Sequence, residues 1–289
     1  ALYPYKGLDL LPNGNYVVSS PYWDSAVAAD VGAVTWVDGT RPVIGTVSEL
    51  NSLVGSQAGD QVGSAMRSQV GYTVSSESQN HYVVVSPLWD NGAIPDVGAV
   101  TLGDASIGTV GVVNPANSLI GSSAGDQIGS NGYSDSGFAS YTIRSPLWDN
   151  GSAVDAGAVT YIGPGGMAGS VVSVLNSLVG STSGDRVGEK YAISYSGGYL
   201  IGSPSWDNGS LADAGAITWA DGDIGVTGPI TAENSVLGGQ ANAQYGQILK
   251  SIPPAGPSSS HDLFLVGTPL YDGSDATGTL VDSGQLQII

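Results

Sequence analysis

The sequence predicts an all-β protein, a β-propeller of about five four-stranded repeat units, on three observations. One phrase returns four times: "NSLVGSQAGDQVG" from Asn51, "NSLIGSSAGDQIG" from Asn117, "NSLVGSTSGDRVG" from Asn176 and "NSVLGGQANAQYG" from Asn234. A second phrase returns five times: "NYVVSSPYWD" from Asn15, "HYVVVSPLWD" from His81, "SYTIRSPLWD" from Ser140, "GYLIGSPSWD" from Gly198 and "DLFLVGTPLYD" from Asp262. Within a unit the apolar residues fall in short runs or at a period of two, bounded by Gly, Asn and Pro, and no 3.6 period is sustained.

The prolines of the second phrase, Pro21, Pro87, Pro146, Pro204 and Pro269, are spaced by 66, 59, 58 and 65 residues. This gives one repeat domain over 1–289, with units at about 6–64, 65–130, 131–189, 190–247 and 248–289. In the first unit the expected strands are Gly7–Leu11, Asn15–Ser20, Gly32–Val37 and Ile44–Glu49, with a hairpin turn at Asn13-Gly14. The third strand returns as "GAVTLG" from Gly98, "GAVTYI" from Gly157 and "GAITWA" from Gly215, and the last unit offers "GTLVD" from Gly278 and "GQLQII" from Gly284. Four short strands cannot bury a core alone, so each unit must stack on its neighbours. Radial stacking gives propeller blades and linear stacking a solenoid or open array; sixty residues and four strands favour blades. The apolar end segments Ala1–Tyr5 and Gly284–Ile289 are expected either to close a ring or to pair with a neighbouring molecule.

Composition narrows the function. With 7 Lys+Arg against 25 Asp+Glu, the net charge of −18 excludes the clustered cations that bind phosphate backbones or anionic membrane surfaces. No run approaches the roughly 18 apolar residues of a membrane helix. The 41% hydrophobic content is that of a chain that folds, and the lack of cysteine excludes thiolate chemistry and Cys-ligated zinc. Low charge density with abundant Gly, Ser and Asn suits a protein exported by a bacterium. The first residues lack the basic start and apolar core of a signal peptide, so any export signal is expected to have been removed or to lie outside this sequence.

The loop between the second and third strands gathers the polar residues. Asp24 and Asp30, Asp90 and Asp96, Asp149 and Asp155, and Asp207 and Asp213 stand six residues apart, and Asn91, Asn150 and Asn208 follow the first member of three pairs. Such oxygen donors either hold a hard cation such as Ca²⁺ or cap the loop by accepting backbone N–H groups. Trp23, Trp89, Trp148, Trp206 and Tyr271 precede the first aspartates. They either stack on sugar rings, giving a multivalent lectin, or wedge between adjacent units. Asp60, Asp126 and Asp185 are expected to be turn caps, since the fourth copy has Ala243 there. Catalysis has little support: His81 and His261 are the only histidines, and the glutamates are unrepeated. "GPGGM" from Gly163 lacks the Lys and helix of a phosphate cradle, and Asn150 and Asn208 fit the N-glycosylation pattern.

The order "AGDQVGSA" from Ala58, then "YVVVSPLWDNGAIPDVGAVTL" from Tyr82, resembles the FG-GAP repeat of integrin-α-like propellers. The whole phrase is also similar to tandem repeats of very large bacterial surface proteins. Members of the FG-GAP family usually have seven blades and a calcium loop of alternating Asp/Asn; this chain has five units and does not reproduce that loop. The resemblance implies a secreted or cell-surface, non-enzymatic structural or adhesive protein that associates with itself or with surface glycans and proteins. The alternative it implies is a multivalent, calcium-dependent lectin.

Overall fold

In the first unit β1 (Leu8–Leu10), β2 (Tyr16–Ser20) and β3 (Ala33–Val37) form an antiparallel meander, turned between β1 and β2 at Asn13-Gly14. The computed structural model describes residues 7–41, 45–65, 81–137, 140–166, 168–193, 198–252, 263–275, 278–280 and 282–288. The expected end segment Ala1–Tyr5 lies outside them, as do Ile44 and His261. Among the described residues there is no helix, and the strands form several small sheets.

The fourth strand differs from expectation. Ile44–Glu49 is not the fourth strand of the first sheet; β4 (Leu53–Val54), inside "NSLVG", takes that place, with Val34 opposite Leu53 and Ala33 opposite Val54. A buried hydroxyl pair sets this register: Thr35 and Ser52 lie 2.7 Å apart. The same pair recurs as Thr101 with Ser118, Thr160 with Ser177 and Thr218 with Ser235. This is why "GAVT" and "NS" travel together in the sequence. Buried hydroxyls must find partners, and these two find each other.

The second unit contains β5 (His81–Ser86), β6 (Ala99–Asp104), β7 (Gly111–Val112) and β8 (Leu119–Ile120). β5, β6 and β8 form its own sheet, whereas β7 leaves it and pairs in parallel with β4 of the first unit. Gly111 N–H donates to Ser52 O and Val113 N–H to Val54 O, both at 3.0 Å. The segment equivalent to the expected fourth strand is therefore given to the preceding unit. The third unit repeats this: Val171 bridges Ile120 in parallel, and Ile120 N–H donates to Ser170 O.

The third unit holds β9 (Tyr133–Gly137), β10 (Ser140–Ser145), β11 (Ala158–Ile162) and β12 (Ser177–Val179). The fourth holds β13 (Lys190–Ile193), β14 (Gly198–Ser203), β15 (Ala216–Asp221), β16 (Gly228–Pro229) and β17 (Ser235–Leu237). β16 pairs in parallel with β12, and Ile230 N–H donates to Val179 O. Pro229 is tolerated because the donated segment bonds through the residues on either side of it. The fifth unit has β18 (Ile248–Ile252) and β19 (Leu263–Thr268), then the hairpin β20 (Gly273–Asp275) and β21 (Gly278–Leu280), then β22 (Gln285–Ile288). β22, from "GQLQII", is its third strand, beside β19; "GTLVD" supplies half of the inserted hairpin.

The chain divides into two compact units, Ala1–Ala139 with Pro164–Val171, and Ser140–Gly163 with Val172–Ile289. The excursion 164–171 follows the donated residue Val171 to its partner Ile120. In the first, one buried cluster joins Val17, Val34, Leu53 and Val62 to Tyr82, Val84, Trp89 and Val113. In the second, Val159, Leu178 and Val187 join Tyr199, Ile201, Trp206 and Ile230, and Leu200, Ile217, Phe264 and Val266 form a smaller cluster. β2 alternates between buried and half-buried residues, whereas β14 is buried throughout, as a strand covered on both faces requires.

The tight crossings set a clear mutational contrast. Gly98 has φ +78, and a Cβ there would meet the Ile128 amide and lie 2.7 Å from the Gln127 carbonyl carbon. Gly92 has φ +63 with open space around it. Gly92→Ala is expected to cost about 1 kcal/mol, the left-handed penalty alone. Gly98→Ala adds a backbone collision and is expected to cost roughly 3–5 kcal/mol, both read by denaturant unfolding.

Candidate functional site

The recurring aspartates lie on the turns that join one unit to the next. Asp60 is fully buried at the end of "GSQAGD". One carboxylate oxygen, Oδ2, accepts the N–H groups of Ser56 at 2.7 Å and Gln57 at 2.8 Å. The other, Oδ1, accepts the N–H of Asp90, in the next unit, at 3.0 Å. Asp90 Oδ1 in turn accepts the N–H of Asp96 at 2.8 Å, and the Asp96 carbonyl accepts the N–H of Gln127. A hydrogen-bonded relay thus runs from the "GD" turn of one unit, through the "WD" loop of the next, to that unit's own "GD" turn.

The relay is repeated further along the chain. Asp185 Oδ2 accepts from Ser181 and Thr182, and its Oδ1 accepts from Asp207 N–H at 3.1 Å. The pairs six residues apart all use the same bond: Asp24 with Asp30, Asp149 with Asp155, and Asp207 with Asp213, at 2.8–2.9 Å. Asp272 caps Asp282 alike across the inserted hairpin. Asp30, Asp96, Asp155, Asp213 and Asp282 all have positive φ, a conformation that Asp tolerates better than most residues. Asn150 and Asn208 donate their side-chain N–H to the carbonyls of Gly180 and Gly238, at 2.8 and 2.9 Å. Asn91 bridges Ile94 through its backbone. Among the described residues no group of three or more His, Asp or Glu side chains is placed to hold a metal ion. The loops' first-aspartate oxygens are directed at backbone N–H groups of the chain itself.

The fourth copy keeps the link by another residue. Where Asp60 has its equivalent in Ala243, Gln240 accepts the N–H of Asp272 and donates to its carbonyl, both at 3.0 Å. Gln57, at the matching position of the first unit, makes only the second bond, at 3.4 Å. The sequence reading missed this exchange, and Gln57 beside an intact Asp60 shows why: a glutamine at that place does not by itself mark it.

The aromatic residues divide by position. Trp89, Trp148 and Trp206 are buried, and Trp89 shares a cluster with Leu53 and Val62 of the unit before it. Trp206 does the same with Leu178 and Val187. Trp89 and Trp206 thus pack between successive repeats, and Trp148 is buried as they are. Their Nε1–H groups have no hydrogen-bond partner. Trp23, in the first unit, and Tyr271, in the last, are half-buried.

The asparagines of the "NS" phrase were not among the expected site residues, although all four copies carry them. Asn117 Oδ1 accepts the N–H of Asn114, and its amide donates to the Val112 carbonyl. Asn51 does the same with Ser48 N–H and Thr46 O, and Asn234 with Thr231 N–H and Pro229 O. Asn117 and Asn234 thereby bend the donated segments out of their own units, and Asn51 bends the matching segment of the first unit in the same way.

Burial holds the Asp60 and Asp185 carboxyl groups above the usual aspartate range, against the three backbone N–H bonds that pull each one down. The folded state therefore keeps these protons at pH values where the unfolded chain has released them, and stability falls as pH rises between the ordinary and the raised pKa.

These features define the class: an all-β tandem-repeat protein whose repeated polar residues couple successive units. The family comparison places it further. The chain belongs to the family described as a repeat of unknown function (DUF5650), which matches residues 10–64, 77–130, 138–189 and 194–247, more than half of its length. Each match closes on the residue after the second glycine of the "GDQVG" phrase. No curated protein matches the chain.

Gln240→Ala is expected to destabilise the chain by about 1–2 kcal/mol, since both of its bonds to Asp272 are lost, whereas Gln57→Ala changes stability by less than about 0.5 kcal/mol. Asp60→Ala leaves three N–H groups without their acceptor and is expected to cost about 3 kcal/mol or more, measured by urea unfolding. The Asp60→Ala, Asp185→Ala double variant should also lose part of the decline in stability with rising pH just above the ordinary aspartate pKa.

Proposed function

We propose that this protein is a non-enzymatic structural repeat protein of the bacterial cell exterior, a unit of a surface array or filament that acts by self-association or by contact with surface glycans and proteins. The observation that carries this reading is the relay through Asp60, Asp90 and Asp96, in which the most regularly repeated polar side chains are spent on holding one unit to the next. An enzyme concentrates its polar residues in one place, and here they are spread evenly along the chain.

The net charge of −18 supports an acidic, soluble surface that repels nucleic acid and anionic membranes. The resemblance to FG-GAP repeats and to tandem repeats of large bacterial surface proteins supports the location. Coupled units resist pulling because a strand donated across a boundary must be sheared before its neighbour can separate.

Antibody against the chain is expected to label intact producing cells, and label that appears only after lysis would contradict the surface reading. Millimolar Ca²⁺ or EDTA is expected to leave the Tm unchanged within about 1 °C, because Asp24, Asp90, Asp149 and Asp207 each already cap an N–H group.

A further inference from the structure

Five Asn-Gly pairs lie among the described residues: Asn13-Gly14, Asn91-Gly92, Asn131-Gly132, Asn150-Gly151 and Asn208-Gly209. This dipeptide carries a chemistry of its own. With no Cβ on the second residue, the glycine nitrogen can approach the asparagine Cγ and close a five-membered ring. Closure needs two groups at liberty, the asparagine side-chain amide and the glycine N–H, and in four of the five pairs the fold occupies at least one of them.

Gly14 N–H donates to the Leu11 carbonyl at 3.0 Å, and Gly132 N–H to the Gly129 carbonyl at 2.7 Å. The Asn13 side chain is held as well, donating to Ala105 O at 2.8 Å and accepting from Asn15 N–H at 3.1 Å. The other three pairs share one kind of turn. Asn91 exchanges both backbone hydrogen bonds with Ile94, Asn150 with Ala153, and Asn208 with Leu211. Gly92, Gly151 and Gly209 are exposed, with φ of +63, +64 and +64 and open space around them. Their N–H groups make no hydrogen bond among the described residues, and all three asparagines are half-buried. What separates them is the side-chain amide. Asn150 donates to Gly180 O at 2.8 Å and Asn208 to Gly238 O at 2.9 Å, whereas the Asn91 side chain makes no hydrogen bond among the described residues.

We propose that Asn91-Gly92 is a site of spontaneous covalent modification, at which the chain deamidates itself and loosens the joint between its first and second repeats. The Gly92 nitrogen gives up its proton to solvent and attacks Asn91 Cγ. The N–Cγ bond forms, the Cγ–Nδ2 bond breaks, and Nδ2 takes a proton from solvent and leaves as ammonia. Water then opens the succinimide at either carbonyl, giving aspartate or isoaspartate and one added negative charge. In the isoaspartyl product the main chain runs through the former side chain and is longer by one carbon. The joint lies next door: Asp90 N–H donates to Asp60 Oδ1, and Asp90 Oδ1 accepts from Asp96 N–H. A longer backbone at residue 91 breaks its pairing with Ile94, which holds Asp90 and Asp96 at bonding distance, and it sets a new carboxylate beside Asp90. The backbone turn is common to Asn91, Asn150 and Asn208, so the anchored amide is what spares the last two.

The test is to age the purified, folded chain at mildly alkaline pH, cut it before its aspartates and read the peptides by mass spectrometry. The three loops are then released as Asp90–Pro95, Asp149–Val154 and Asp207–Ala212. Unmodified Asp90–Pro95 is expected to disappear at least about tenfold faster than the other two, replaced by an isoaspartyl form about 1 Da heavier. In the urea-unfolded chain the three rates should agree within about threefold, because the anchors of Asn150 and Asn208 are gone. Equal rates in the folded chain, or an excess at Asn91 that persists in urea, would overturn the proposal. Asn91→Gln, in which ring closure would have to be six-membered, is expected to stop the change at this loop and to keep its urea midpoint on ageing, while the midpoint of the unsubstituted chain falls as isoaspartate accumulates. A midpoint that stays unchanged in the fully modified chain overturns the loosening of the joint.

Discussion

Everything in this chain depends on a strand crossing from one unit into the sheet before it. β4 is two residues long, far too short to end a sheet on its own, and it is held because β3 lies on one side and Gly111–Val112 of the next unit on the other. The N–H groups of Gly111 and Val113 satisfy carbonyls that would otherwise be left at an edge beside a buried core. Once the crossing is made, Val113 is buried with Leu53 and Trp89, and the units share one hydrophobic cluster. Stability then comes from neighbours rather than from any unit alone, as in other repeat architectures.

The polar residues serve the same end. Thr35 and Ser52 satisfy one another in the core, Asn117 bends the segment that crosses to β4, and Asp60 reaches forward to the Asp90 amide. A carboxylate is an economical link, because one group takes N–H bonds from two backbones in different units and charge strengthens each. Gln240 shows that the link, rather than the aspartate, is what the architecture requires: an amide that both donates and accepts restores it where Ala243 stands. The polar chemistry of the repeat is thus largely directed inward, and the proposed structural role rests on that.

Much of this was legible in the sequence. The apolar alternation of "NYVVSS" and "GAVTWV" marks strands that the structure contains, and the spacing of the prolines marks the units. The aspartates of "GDQVG" read as turn caps and are, but nothing in a local pattern says that their second oxygen belongs to the next unit. The fourth strand was misplaced for a similar reason. "IGTVSE" has better strand grammar than "NSLVG", and only the Thr35–Ser52 pair, 17 residues apart, decides which of them enters the sheet. The burial of Trp89, Trp148 and Trp206 was not legible, since these residues look the same in sequence whether they face solvent or a neighbour.

The most direct measurement of the central claim is residue-resolved hydrogen exchange on the native chain. If strand crossing couples the units, the amides of Gly111, Val113, Ile120 and Ile230 should exchange as slowly as those in the middle of β6 and β15. Exchange of Gly111 and Val113 at close to the rate of an open loop would mean that the crossing bonds do not hold, and the account of how the units cohere would be wrong.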